Sequence, residues 1–343
     1  MSADAAGEVL AQAIRRGVFP SATAEVGTSD GPQWHVALGA PFDTLFDLAS
    51  LTKVIATTTA VMARVSEGSV ALDQRIGEVF PEWQGEDRER VTVRDLLEHA
   101  SGLTARLVDA PPEGRREFEH EICTMKLEYA PRSRSIYSDL GFILLGFLVS
   151  DTLLVSDTLT RIARVSKTAP VSDTELRFLP PPDLRARCAP TRPLDDDHRR
   201  GRVLVGEVHD NYAAALGGVA GHAGLFGTAS AVGDFARTVL RAARGDARQP
   251  PPFTPALVAQ FTTRSAVPGS SRALGWDTML PSSSCGSRMS PAAFGHVGFT
   301  GTSLWIDPAQ DRYFVLLTNR VFGDGTVDDM RDVRRAFHDA YLD

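Results

Sequence analysis

Lysine is almost missing from this chain. Of 36 basic side chains only Lys53, Lys126 and Lys167 are lysine, and the other 33 are arginine. Where arginine meets nearly every need for positive charge, a retained lysine points to what a guanidinium does not do, which is to give up its proton near neutral pH. Cysteine is as scarce: Cys123, Cys188 and Cys285 lie far apart with no C-x-x-C. An odd, scattered set argues against a disulfide framework and suits three small core residues in a reducing, cytoplasmic setting. The longest apolar run, Gly141 to Val149, is about half of what a membrane span needs. Met1 to Glu8 carries neither a basic start nor an apolar core, so no signal peptide is expected there. Positive charge is in deficit, with 43 acidic residues against 36 basic and a net charge of −7. That argues against a general nucleic-acid or anionic-membrane binder.

What is present is ordinary for a globular protein: 43% hydrophobic and 23% charged residues. A length of 343 residues exceeds the usual reach of one core, so two lobes or a large insertion are expected. Residues 5–16 read as an amphipathic helix stopped by Gly17. Ala22 to Val26 and Trp34 to Leu38 read as strands around a hairpin turn, Thr28-Ser29-Asp30-Gly31. Leu51 to Val65 reads as a strong helix closed by Gly68, and Thr92 to His99 as a short one with Thr92 as N-cap. Gly141 to Val149 reads as a buried helix, with Asp139 as its candidate N-cap, and Ala229 to Ala243 as a helix capped by Thr228. Phe294 to Ile306 and Tyr313 to Asn319 read as strands, and Asp328 to Tyr341 as a closing helix. Val-Ser-Asp-Thr recurs at 149, 155 and 171, but the uneven spacing is no structural repeat. Strands at both ends around a helical middle predict an α+β fold with one sheet built from both termini. The expected division is a sheet domain from 1–70 and 270–343 and a mainly helical inserted domain from 71–269.

Three segments carry chemistry. Ser50-Leu51-Thr52-Lys53 opens the strongest helix and puts a hydroxyl and an amine one turn apart on one face. A serine there can serve as a nucleophile with the lysine as its base, once burial lowers the lysine pKa. Tyr137-Ser138-Asp139 follows 87 residues after Ser50 and offers a phenol that can relay a proton beside a cation. His296-Val297-Gly298-Phe299-Thr300-Gly301 sits in the strand-rich C-terminal part, where Gly298 would let a ligand lie close to the backbone. An N–H in such a strand can donate to a developing oxyanion.

Together, in this order and spacing, the three segments resemble the serine β-lactamase and penicillin-binding-protein superfamily. The likeness is to its class C β-lactamase, D,D-peptidase and family VIII esterase branch. Phe46 to Lys53, Val93 to Leu103, Leu216 to Gly221, Thr300 to Pro308 and Val315 to Asn319 extend it, so that it spans about residues 5–341 and is weakest from 151 to 210. The resemblance implies the β-lactamase/D,D-peptidase-like fold and an acyl-enzyme on Ser50. It implies Lys53 as the activating base, Tyr137 as the proton relay, and His296 where the family more often has a lysine. The oxyanion donors would be the backbone N–H groups of Ser50 and Phe299. Asp139, Gly298 and His222 are the expected substrate-contacting residues. Asp139 replaces the usual asparagine, and a carboxylate there would hold Lys53 protonated. His296 weakens the fixed positive charge that binds a substrate carboxylate. Both changes favour ester cleavage over β-lactam or peptide cleavage.

The expectation is therefore a serine hydrolase on small or medium esters, with a small-molecule substrate and no cofactor. The alternatives are a D,D-peptidase or β-lactamase-type amidase, an acyltransferase, and a catalytically silent binding protein on the same fold. Gly27-Thr28-Ser29-Asp30-Gly31 matches G-x-S-x-G but lies in a hairpin turn. Lys167-Thr168-Ala169 is like a Lys-Thr-Gly triplet without strand context. His209-Asp210 and His222 lack the helical spacing of a metal motif, so no metal is expected.

Overall fold

The computed structural model describes residues 2–107, 110–150 and 176–342. Lys167 and two of the three Val-Ser-Asp-Thr copies lie outside them. The helices are α1 (Ser2–Arg15), α2 (Thr59–Ser66), α3 (Val93–Leu97), α4 (Arg115–Thr124), α5 (Asp139–Leu148), α6 (Pro182–Arg185), α7 (Asn211–Ala215), α8 (Ala229–Ala243), α9 (Pro255–Thr262) and α10 (Val327–Leu342). The strands are β1 (Ala22–Gly27), β2 (Pro32–Leu38), β3 (Phe46–Asp47), β4 (Leu176–Phe178), β5 (Leu225–Gly227), β6 (Asp277–Thr278), β7 (Phe294–Val297), β8 (Ser303–Asp307) and β9 (Arg312–Thr318).

Six strands form one antiparallel sheet in the order β2-β1-β9-β8-β7-β6, and β3-β5-β4 form a second, small one. β1 from the N-terminal end thus pairs with β9 from the C-terminal end, Ala22 opposite Thr318 and Gly27 opposite Tyr313. Alternation along β9 sorts its side chains between two apolar layers. Phe314 and Leu316 pack with Leu10 of α1 and Val333 and Phe337 of α10. Tyr313, Val315 and Leu317 join the core that holds Val232, Phe235, Ala236 and Val239 of α8. A sheet covered on both faces needs apolar residues at every position of its central strand, which is why 313–318 reads as an unbroken run. On the α8 side, Glu25 is buried and accepts a hydrogen bond from Tyr313 Oη at 2.8 Å. Burial pushes its pKa up to about 7.

Two details depart from the sequence reading and both shape the site. The helix from Leu51 is wound as a π-helix over Lys53–Thr58 before α2 begins. Such wide turns recur at functional sites. This one is braced by Thr57 Oγ1 donating to Gly221 O at 2.6 Å and by Leu225 N donating to Thr52 Oγ1 at 3.1 Å. The run from 294 to 306 is two strands, because a tight turn at 298–302 separates β7 from β8. Gly301 there has φ +112°, which a side chain would resist.

Candidate active site

Ser50 stands at the end of a strained approach. Ala49 before it has φ +46°, an unusual conformation for a residue with a side chain, and is held there by its N–H donating to Asp47 Oδ1 at 2.8 Å. Asp47 is fully enclosed, also accepts the His209 N–H at 2.6 Å, and has its pKa pushed up to about 6 by burial. Beyond Ser50, 3₁₀-type bonds from Leu51, Thr52 and Lys53 start the helix that carries the lysine back toward the serine.

Lys53 has no exposed surface. Its Nζ donates to Ser50 Oγ at 3.0 Å, to Asp139 Oδ1 at 2.7 Å and to the His222 carbonyl at 3.2 Å. It also lies 4.8 Å from the centre of the Tyr137 ring. Burial alone would lower the lysine pKa; the charge of Asp139, with the charge and hydrogen bond of Tyr137, outweighs it and holds the pKa above its ordinary value. The resting amine is thus an ammonium, the state that a carboxylate at position 139 predicts. Asp139 reaches Lys53 because Ser138, not Asp139, caps α5: Ser138 Oγ accepts the Gly141 N–H at 3.4 Å, which leaves the Asp139 side chain free to turn inward. Ser50, Lys53 and Tyr137 do meet in one cleft. Ser50 and Tyr137 line two cavities that open on either side of them, of about 220 and 230 Å³, with Phe299 shared by both.

A profile of the Beta-lactamase family matches residues 9–338. The chain belongs to the β-lactamase family. It is 31% identical over 308 residues to a protein of Escherichia coli (strain K12) named "Putative D-alanyl-D-alanine carboxypeptidase", spanning 81% of this chain and 69% of that one. Two solved structures share its fold. One is EstCE1, described as a hydrolase with promiscuous acyltransferase activity (TM-score 0.72, 17% identity, covering 100% of this chain and 98% of that one). The other is a penicillin-binding-protein homologue from Caulobacter crescentus (TM-score 0.69, 21% identity, covering 99% and 97%). This β-lactamase-family chain is accordingly a serine hydrolase of the β-lactamase/D,D-peptidase fold. Among the described residues no helix is long and apolar enough to cross a membrane.

In this β-lactamase-family site the N–H groups of Ser50 and Phe299 enter no hydrogen bond among the described residues. The turn bearing Phe299 is tied to the segment that leads into Ser50: Thr300 Oγ1 donates to Asp47 O at 2.7 Å and Thr302 Oγ1 to Leu48 O at 3.0 Å. His296 is buried on β7, its ring 5.8 Å from that of Tyr137. Burial, with Arg272 and Lys53 nearby, keeps its pKa well below the usual range, so the imidazole is neutral. Its Nδ1 is 2.9 Å from Val297 O, and its buried Nε2 has no hydrogen-bond partner among the described residues. Gly298 lines the first cavity and is packed closely by the protein itself. A Cβ there would run into Thr302 Oγ1 and come within 2.7 Å of Leu48 O, so the glycine makes room for the protein itself.

The second cavity is walled by an ionic network. Arg106 donates to Asp139 Oδ2 and to Asp210 Oδ2, each at 2.9 Å, and to Asn211 Oδ1 at 2.6 Å. His222 Nε2 is 2.8 Å from Asp210 Oδ1, and its carbonyl is the one that Lys53 reaches. Burial works against charge on both carboxylates; Lys53 and His222 outweigh it at Asp139, and His222 and Arg106 at Asp210, so both are held below the ordinary range. Asp139, Asp210 and His222 come close enough together to suggest a cation site. Their oxygens, however, already accept from Lys53 and Arg106 and lie against His222 Nε2.

Sequence reasoning missed the arginines. Arg272 stacks 4.9 Å over the Tyr137 ring, and Arg320 and Arg334 line the first cavity beside it. None of the three is in an ion pair among the described residues. Arg334 alone left a signal, since it falls within the buried stripe Met330, Val333, Arg334, Phe337 and His338 of α10.

Proposed function

We propose that this chain hydrolyses carboxylic esters through an acyl-enzyme on Ser50. The observation that carries this is the 3.0 Å approach of Lys53 Nζ to Ser50 Oγ, beside Tyr137 and between two cavities. Lys53 first passes its proton out through Tyr137. The free amine then takes the proton of Ser50 as Oγ bonds to the ester carbonyl carbon. The carbonyl oxygen becomes an oxyanion facing the N–H groups of Ser50 and Phe299. Collapse breaks the bond to the leaving alkoxide, which leaves with a proton from the Lys53–Tyr137 pair. Water repeats the cycle on the acyl-enzyme and restores Ser50. Esters suit a site whose strand residue is a neutral His296, because simple esters need no carboxylate handle, and an alkoxide departs more readily than an amide anion.

A second reading, cleavage of D-alanyl peptides, is favoured by the name of the Escherichia coli relative and by Arg272, a cation beside Tyr137 that could hold a carboxylate. The deciding experiment is intact-mass spectrometry after incubation with esters, β-lactams and acyl-D-Ala-D-Ala peptides, with Ser50→Ala as control. Ester adducts in the parent and none in the variant support the first reading. Adducts from carboxylate-bearing peptides alone support the second. No adduct, or one that persists in Ser50→Ala, refutes both.

A further inference from the structure

We infer that Arg334 is a positioning residue of this site: its guanidinium holds and polarises the Gly298–Phe299 peptide, whose N–H serves the oxyanion. The inference rests on the proposed acylation of Ser50 and deepens it.

Arg334 Nη2 donates to Gly298 O at 2.8 Å and to Thr302 O at 2.9 Å. The Gly298 carbonyl and the Phe299 N–H are the two ends of one planar, conjugated amide. A cation on the oxygen end draws electron density from the nitrogen end and makes the free N–H a stronger donor. The same oxygen also accepts the Gly301 N–H at 3.1 Å, which fixes the plane of that peptide. Arg320 grips the next peptide, donating to Phe299 O at 2.6 and 3.2 Å. Guanidinium groups therefore hold the peptides on both sides of Phe299.

The placement is costly. Arg334 is 6% exposed and has no carboxylate partner among the described residues. Burying a charge without a counter-ion is expensive. Burial, with the like charge of Arg320, pulls the Arg334 pKa down to about 9, which still leaves a cation at neutral pH. Its neighbours on the buried stripe of α10 include Met330, Val333 and Phe337, so packing alone calls for an apolar residue there. A charge kept at that cost, and aimed at the carbonyl end of the peptide in question, supplies a preorganised field for the negative charge that develops in acylation.

The test compares Arg334→Met, Arg334→Gln and Arg334→Lys with the parent. The readouts are the burst of p-nitrophenol from an ester and the carbonyl stretching frequency of the 13C-labelled acyl-enzyme. Loss of the charge should slow acylation about 10- to 100-fold, below the effect of deleting an oxyanion donor outright, with little change in KM. The acyl carbonyl stretch should move to higher frequency in Met and Gln and return in Lys, with partial recovery of the burst. If Arg334→Met does not fold, Gln against Lys decides, since both keep a donor and only one keeps the charge. A folded Gln or Met variant with parental burst and frequency overturns the inference, as does a Lys variant no better than Gln. A fluorophosphonate that fails to label Ser50 in the parent overturns the acyl-enzyme reading and this inference with it. Labelling together with indifference to Arg334 overturns this inference alone.

Discussion

Replacing Asp139 with asparagine removes from the centre of the cleft one negative charge, which Lys53 and Arg106 share. The parent carboxylate lies 2.7 Å from Lys53 Nζ. At an effective dielectric constant of about 20, two unit charges at that separation attract by about 6 kcal/mol. An asparagine oxygen still accepts the lysine's hydrogen bond, and a neighbouring opposite charge typically moves a pKa by about 1–3 units. Lys53 should therefore lose affinity for its proton by about 1–3 units. In kcat/KM for a p-nitrophenyl ester, the limb that rises with pH reports the free enzyme's base. That limb should move to lower pH by the same amount in Asp139→Asn. On the rising limb each unit is worth about tenfold in rate, so activity near neutrality should increase. Stability should fall by about 3 kcal/mol, because a fully buried lysine loses its counter-ion. A folded variant with an unmoved limb refutes the argument, since the group whose ionisation limits acylation would then not be in the Lys53–Tyr137 pair.

Lys53→Arg keeps the charge and removes the amine that bonds to Ser50 Oγ. Turnover should fall by about 10³–10⁶, and near-parental burst kinetics would refute the base assignment. Gly298→Ala places a methyl group against Thr302 Oγ1 and Leu48 O. It should cost about 1–3 kcal/mol in urea unfolding and slow acylation as the Phe299 N–H shifts; an unperturbed variant would show that the turn has slack. Glu25 has a folded-state pKa of about 7, raised from 4.5 chiefly by burial. The native state therefore binds more protons than the unfolded chain between those values, and stability falls as pH rises through that window. Glu25→Gln should remove that loss, about 3 kcal/mol by pH 8. Equal pH dependence of Tm in variant and parent would refute it.

The cluster of Ser50, Lys53 and Tyr137 was legible because the spacing of its first two members is local chemistry. Ser50 and Lys53 share a helical turn, and Asp139 could be read as a carboxylate near the lysine once its segment was placed. Strand alternation and helix caps likewise exposed β1, β9 and α8. The break at 298–302 was hidden, since β-forming residues run straight through it and the reversal is made by Gly301 and by side-chain bonds to residues some 250 positions earlier. Gly298 shows a related limit: a glycine in a strand pattern announces a close approach but not which atoms approach, here Thr302 Oγ1 and Leu48 O. The buried arginines were hardest. In a chain that uses arginine almost everywhere, Arg334 differs from its neighbours only by its position on α10.

Placed together, the charges of the cleft explain why the chain needs both its rare lysine and its unpaired arginines. On one side of Ser50, Lys53 and Arg106 are closely paired with Asp139 and Asp210. That side holds the lysine in place but offers little net field to a forming oxyanion. On the other side, Arg272, Arg320 and Arg334 have no carboxylate partners among the described residues, and His296 is neutral. Positive potential therefore rises across the serine toward Phe299. In the proposed reaction a proton leaves Ser50 toward the balanced side while negative charge builds on the carbonyl oxygen toward the unbalanced one. Both movements run down that gradient, so the field favours the tetrahedral intermediate over the neutral ester. This is the condition for lowering the barrier rather than merely binding the substrate.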